Sequence, residues 1–264
     1  MNPAQHAKAV AAETAAFVAT VTAADLSTPV PTCPGWTLAD LTRHVGSVHR
    51  WFTELLRLRV RQAPTSRDVD LRLPEHPDSL PDWLAQSAAQ AAEVFATTDL
   101  DAPMWAWGVD QHARFWVRRM LFETLVHRVD AQLALGLSPD VDRALAVDGI
   151  DEFLTNLPFA SPFAPLTARL RAPDRTIRFS CTDGEDGDGD GDGHGGGDWV
   201  VGLRPDGFAL VVDPAESRTA DAAVRGTAAD LLLLLYGRLD RRSDAFHLVG
   251  DADLLAHWFD HSAF

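Results

Sequence analysis

A carboxylate and an imidazole four residues apart, Glu123 and His127, sit within the series Trp116, Met120, Glu123, His127, Ala131, Ala134. Its steps of three and four place all six residues on one face of a helix. An unpaired carboxylate on an inward face is costly to desolvate, so the placement asks for a partner. A divalent cation would satisfy both side chains at once. A third ligand is available on an earlier helix, where His44 lies between Leu41 and Val48, again by steps of three and four. Two imidazoles and one carboxylate suit a catalytic zinc that keeps a position open for water or substrate, and equally Fe(II) or Ni(II). The competing reading pairs Glu123 with an arginine, Arg119 or Arg50, and makes both histidines hydrogen-bonded core residues. Spacing leaves both readings open.

Other titratable residues compete for roles. Asp40, four residues before His44, is either a further ligand or an acid that orients that ring; Asp130, three beyond His127, is a second candidate for orienting a ligand. His257 and His261 are also four apart, but their helix is terminal and ends near them. His49 falls off the face of His44, and His112 precedes the fourth helix in a loop that reaches toward the mouth of a bundle. Cys33 stands just before the second helix, a position that makes a cysteine a candidate nucleophile. No nucleophile elbow, phosphate-binding loop or dinucleotide fingerprint is present.

The elements that must position these residues are mostly helices in the first half. Residues 3–24 are Ala-rich with apolar residues at helical spacing. A proline-rich loop separates them from a helix starting after Trp36 or Thr37 and running to about residue 61, with the stripe Leu38, Leu41, Val45, Val48, Phe52, Leu55. Helices follow over residues 79–97 and 113–135, the last closed by Gly136 with Pro139 beyond. Four such helices bury their stripes on one another as a bundle. The second half begins with a helix over 141–157. Strands are then expected at 176–181, 199–203, 207–212, 222–225 and 246–249, with helices at 228–236 and 252–259, which is an α+β pattern. The expected division is a helical bundle over residues 1–140 and an α+β domain over 141–264. Between the first two strands, residues 183–198 alternate Asp and Gly. This run matches no calcium-loop spacing and reads as a long, mobile hairpin connection.

The 264 residues carry 38 acidic against 23 basic side chains, a net charge of −15. Nucleic acid is a poor partner for that field, which lacks the clustered positive charge that phosphate binding needs. Seven of the acids lie in the Asp/Gly run, so the rest of the chain is only moderately acidic. Lys8 is the only lysine, a bias that reflects GC-rich coding. Two cysteines are too few for a disulfide scaffold, no signal peptide is apparent, and the longest apolar run, six residues ending at Tyr236, is far too short for a membrane span. A cytoplasmic protein without membrane partner, and a monomer, is the default expectation.

The run P-T-C-P-G-W-T-L-A-D-L-T-R-H from Pro31 to His44, together with F-E-T-L-V-H-R-V-D from Phe122 to Asp130, resembles the mycothiol-dependent maleylpyruvate isomerase family of the DinB-like superfamily. The later runs V-R-G-T-A-A-D-L-L-L-L-L-Y-G-R from Val224 to Arg238 and H-L-V-G-D-A-D-L-L-A-H-W from His247 to Trp258 look like that family's C-terminal domain. The resemblance implies a DinB-like four-helix bundle followed by a small sterol-carrier-like α+β domain. It also implies a zinc held by His44, Glu123 and His127, mycothiol as thiol cosubstrate, and a packing role for Cys33 in place of a nucleophilic one.

The chemistry so implied is addition of the thiol to the activated double bond of a cis-dienoic keto acid, rotation about the resulting single bond, and elimination to the trans product. An arginine would hold the substrate carboxylate bidentately, with Arg238 the first candidate by its place in the family-like run and Arg225 the second. Two alternatives share the sequence features: a mycothiol S-transferase that conjugates electrophiles, and a non-enzymatic metal- or ligand-binding protein.

Overall fold

Capping chemistry fixes where the first helices begin. Asn2 accepts from the backbone of Gln5 while the Gln5 side chain returns to the Asn2 N–H, and Pro3 occupies the first helical position, so α1 runs Pro3–Thr22. The same reciprocal box joins Thr37 and Asp40 at the start of α2, Leu38–Leu58. A proline-led 3₁₀ turn, Pro77–Ser79, feeds α3, Leu80–Thr97. The first amides of α4, Ala113–Ala134, are taken up by the preceding loop: Ala113 donates to the Ala102 carbonyl and Arg114 to that of Leu100. These elements come from a computed structural model that describes residues 1–65, 69–184, 196–211 and 220–263.

The chain divides into two units, Met1–Pro139 and Asp140–Phe264. In the first, α1 packs on α3 and α4, and α2 packs on the same two helices, which closes a four-helix bundle. Phe17 and Val21 of α1, Leu38, Leu41 and Val45 of α2, Leu84 of α3 and Ala131 of α4 share one buried cluster. Two local features differ from the apolar stripes read in the sequence. On α2, Val48 is only half-buried while Gly46 and His49 are buried, so the stripe rotates toward α3 and α4. Gly46 is where Trp83 of α3 crosses: a Cβ there would lie 2.1 Å from the indole. On α4, 15 of 22 residues are buried, so the helix is enclosed on more than the single face of Trp116 and Met120.

The second unit opens with α5, Arg143–Asn156, capped by Asp142. Its sheet has strand order β3-β2-β1-β4-β5, with β1 at Arg175–Cys181, β2 at Asp198–Arg204, β3 at Gly207–Leu210, β4 at Ala222–Gly226 and β5 at His247–Gly250. The sheet is mixed: β1 runs parallel to β4, with Phe179 opposite Val224, and every other pair is antiparallel. Helix α6, Ala228–Leu235, starts at the Thr227 cap and buries Leu231 to Leu235, while Tyr236 just beyond it stacks on Phe153 of α5. In α7, Ala252–His261, Trp258 packs on Phe179 of β1 and Phe208 of β3. The fold is therefore the helical bundle followed by a small α+β unit that the sequence pattern predicts. Residues 185–195 of the Asp/Gly run, for which a hairpin connection is expected, lie outside the described residues, as does Val212 of the third expected strand. Among the described residues no helix is long and apolar enough to cross a membrane.

Candidate metal centre

Helices α2 and α4 are neighbours in the bundle, and their contact brings the three chemically informative residues together. His44 Nε2 lies 3.0 Å from Glu123 Oε1, and His127 Nε2 lies 3.4 Å from the same oxygen. One ligand atom from each of the three residues fits within 4.8 Å of the others. Donors around a single tetrahedral zinc stand roughly 3.3 Å apart, so these separations suit a shared cation. The two imidazoles meet edge to face with ring centroids 5.0 Å apart. Exposure of the side chains falls from 34% at His44 through 21% at Glu123 to 13% at His127, so the group opens to solvent on the His44 side.

The surroundings polarise the set. Burial opposes charge on Glu123, but hydrogen bonds to His127 and His44, with the charges of His127 and Arg119, hold its carboxyl well below the usual carboxylate range. Arg119, one turn earlier on α4 and 3% exposed, stands 3.5 Å from Glu123 Oε2. The arginine pairing and the convergent trio, alternatives in the sequence, thus occur together on the two oxygens of one carboxylate. Arg50 is placed elsewhere, donating to Ser87 Oγ at 2.8 Å with its guanidinium over Trp83. Burial also opposes charge on His127, and here the hydrogen bonds to Asp130, Cys33 and Glu123 win, raising it well above the ordinary histidine value.

Asp130 is fully buried, and its Oδ2 meets His127 Nδ1 at 2.8 Å. That contact occupies Nδ1 and leaves Nε2 facing Glu123 and His44. Cys33 donates its thiol to the same Asp130 oxygen at 3.5 Å. Cys33, His127 and Asp130 form a second convergent group, which shares His127 with the first.

Other expected residues have partners of their own or belong to the second unit. Asp40 does not orient His44: its Oδ2 accepts from the backbone and hydroxyl of Thr37, and its Oδ1 accepts from Arg43. Position three of α2 commits that carboxylate to the helix cap. His112 stands at the N-cap of α4 with Nδ1 2.6 Å from Asp110, which Arg114 also binds. His257 and His261 lie on α7 of the second unit, where His261 Nδ1 donates to the His257 carbonyl. Arg225 is exposed on β4 opposite His247, and Arg238 follows α6, donating to the Tyr236 carbonyl at 2.6 Å. One neighbour escaped the sequence reading. Trp36 stacks on His44 with centroids 4.9 Å apart and lies 6.4 Å from the ring of His127. The Pro-Gly pair just before it is a turn signal that could have located it.

The family model described as the mycothiol maleylpyruvate isomerase N-terminal domain matches residues 7–132, which contain the whole trio. A second, described as the MDMPI C-terminal domain, matches residues 144–257. The chain belongs to the mycothiol maleylpyruvate isomerase family. Among solved structures, the crystal structure of the mycothiol-dependent maleylpyruvate isomerase is similar at 15% identity, with a TM-score of 0.59 over 96% of this chain and 95% of that one. A histidine-to-alanine mutant of that isomerase matches at 14% identity with the same TM-score and coverage. At these identities the likeness is one of fold. No curated protein matches the chain in sequence.

Proposed function

We propose that this family member is a metal-dependent, mycothiol-using enzyme of the maleylpyruvate isomerase type, with His44, Glu123 and His127 as ligands of a zinc ion. The observation that carries the reading is the convergence of the two Nε2 atoms on Glu123 Oε1 from different helices, within the stretch that matches the family's N-terminal domain. A divalent cation there supplies a lowered thiol pKa at the position that three protein ligands leave open.

The chain's own residues do the rest. Asp130 holds the His127 ring with Nε2 presented to the trio, and Arg119 balances the carboxylate of Glu123. The thiol adds across the activated double bond of a small cis-dienoic keto acid, the new single bond rotates, and elimination returns the thiol with the trans product. Arg238, or failing it Arg225, is proposed to bind the substrate carboxylate. The reading requires a compartment that keeps small thiols reduced, which the cytoplasm does.

Two measurements test it. Elemental analysis should find stoichiometric zinc that His44→Ala and Glu123→Ala lose; absence of metal in carefully prepared wild-type protein would refute the reading. Incubation with mycothiol and maleylpyruvate should give fumarylpyruvate without net thiol consumption. A stable thiol adduct would instead identify an S-transferase.

A further inference from the structure

The loop that enters α2 is built as a frame. Val30 donates to the Trp36 carbonyl, Cys33 to the Val30 carbonyl and Trp36 to the Cys33 carbonyl, the last two at 3.0 Å, while Pro29 and Thr37 form a β-bridge. Pro34 and Gly35 occupy the two central positions of the turn from Cys33 to Trp36, and Gly35 has φ +85°. Proline followed by a left-handed glycine, closed by this hydrogen bond, is a type II turn. Such a turn brings its first and fourth residues side by side. Here they are Cys33 and Trp36, and both rest on the buried cluster shared by α1, α2, α3 and α4.

The two ends of the turn lead to different members of the trio, Cys33 by way of Asp130 and Trp36 directly. The Cys33 thiol donates to Asp130 Oδ2, the oxygen that meets His127 Nδ1. The Trp36 indole lies tilted at 56° against the ring of His44. We propose that the Cys33–Trp36 turn is a positioning clamp for the metal centre, with Cys33 setting His127 through Asp130 and Trp36 restricting rotation of His44. Neither residue is a metal ligand. The inference rests on the metal reading proposed above and assigns a role to a loop outside the ligand helices. An S–H is a weak donor, so its share is in aiming Asp130 rather than in raw stability.

The test is zinc affinity by chelator competition on the full chain, together with the absorption spectrum of the cobalt-substituted protein. Cys33→Ala should weaken zinc binding about 3- to 10-fold, less than the 10- to 100-fold typical of losing a direct second partner, and should shift the cobalt d–d bands. Cys33→Ser, which keeps an O–H for Asp130, should recover most of the affinity. Trp36→Ala should weaken binding, and Trp36→Phe, which keeps a ring against His44, should recover it. Affinity and cobalt spectrum unchanged in Cys33→Ala and Trp36→Ala overturn the clamp while leaving the metal reading intact, even if both variants are less stable. A thiolate-to-cobalt charge-transfer band that vanishes in Cys33→Ser makes Cys33 a ligand and also overturns it. Wild-type protein that takes up no zinc overturns the metal reading itself, and the clamp with it.

Discussion

His127 Nδ1 lies 2.8 Å from Oδ2 of Asp130, a carboxylate with no solvent exposure three residues further along α4. The pair orients an imidazole whose other nitrogen faces Glu123 and His44. Asp130→Asn replaces the accepting charge with a neutral amide that can also present a donor to the ring. Zinc affinity should then fall about 10- to 100-fold, the usual effect of altering a direct hydrogen-bond partner of a ligand histidine. Chelator competition measures it, and an affinity within twofold of wild type would show that the contact does not orient the ring.

His49 gives the protein a distinct acid response. Its ring is wholly buried on α2, with Nε2 2.7 Å from the hydroxyl of Thr124, which itself donates to the Met120 carbonyl. The Thr124 oxygen therefore accepts from Nε2–H, which places the proton of the neutral ring on Nε2. Burial lowers the His49 pKa from 6.5 to about 4, against a smaller opposing effect of the Glu123 charge. The unfolded chain thus binds the extra proton first as pH falls. The contribution of neutral His49 to stability is full above pH 6.5 and is lost as pH drops toward 4, on the order of 3 kcal/mol in all. Urea titrations of wild type and His49→Gln at pH 7 and 4.5 check this. The stability gap should narrow at the lower pH, and a constant gap would count against it.

The helices and the candidate trio are legible in the sequence because their signals are local or periodic. The three-and-four stripes and the E-x-x-x-H spacing each act within one or two turns of helix. What resisted was competition between roles and contact between distant segments. Spacing offers Asp40 to His44 as a ligand or an orienting acid, but a helix N-terminus one turn away claims its carboxylate first. His49 falls off the face of His44 on a stripe drawn through Val48, yet α3 and α4 cover the adjacent face, and its burial follows from that packing. The contact of Trp36 with His44 depends on a turn folding back over α2, which no periodicity encodes.

Gly46 tests the packing side of the same helix. The Trp83 indole approaches so closely that an added Cβ would meet three of its ring carbons at 2.1 to 2.8 Å. Gly46→Ala gains helix propensity of about 1 kcal/mol on α2. Overpacking against a buried tryptophan costs about 1–3 kcal/mol and outweighs it. Denaturant unfolding should show net destabilisation, and Gly46→Ala with Trp83→Leu should regain part of the loss. A more stable single variant would mean that Trp83 moves aside freely.

Gly35 separates backbone strain from crowding. A Cβ at this position meets nothing within 4 Å, so the substitution Gly35→Ala has room. Its cost comes from φ +85°, a region that L-residues with a Cβ disfavour by about 1–2 kcal/mol. The chain escapes that strain most easily by opening the turn, and opening it moves Cys33 and Trp36 together. Gly35→Ala should therefore lower stability by about 1 kcal/mol and also weaken zinc binding, whereas Gly35→Asn, which tolerates the left-handed region better, should do less of both. Paired measurements of unfolding and chelator competition on the two variants decide the matter. Loss of stability with unchanged zinc affinity would mean that the turn supports the fold of the bundle and leaves the ligand histidines where they are.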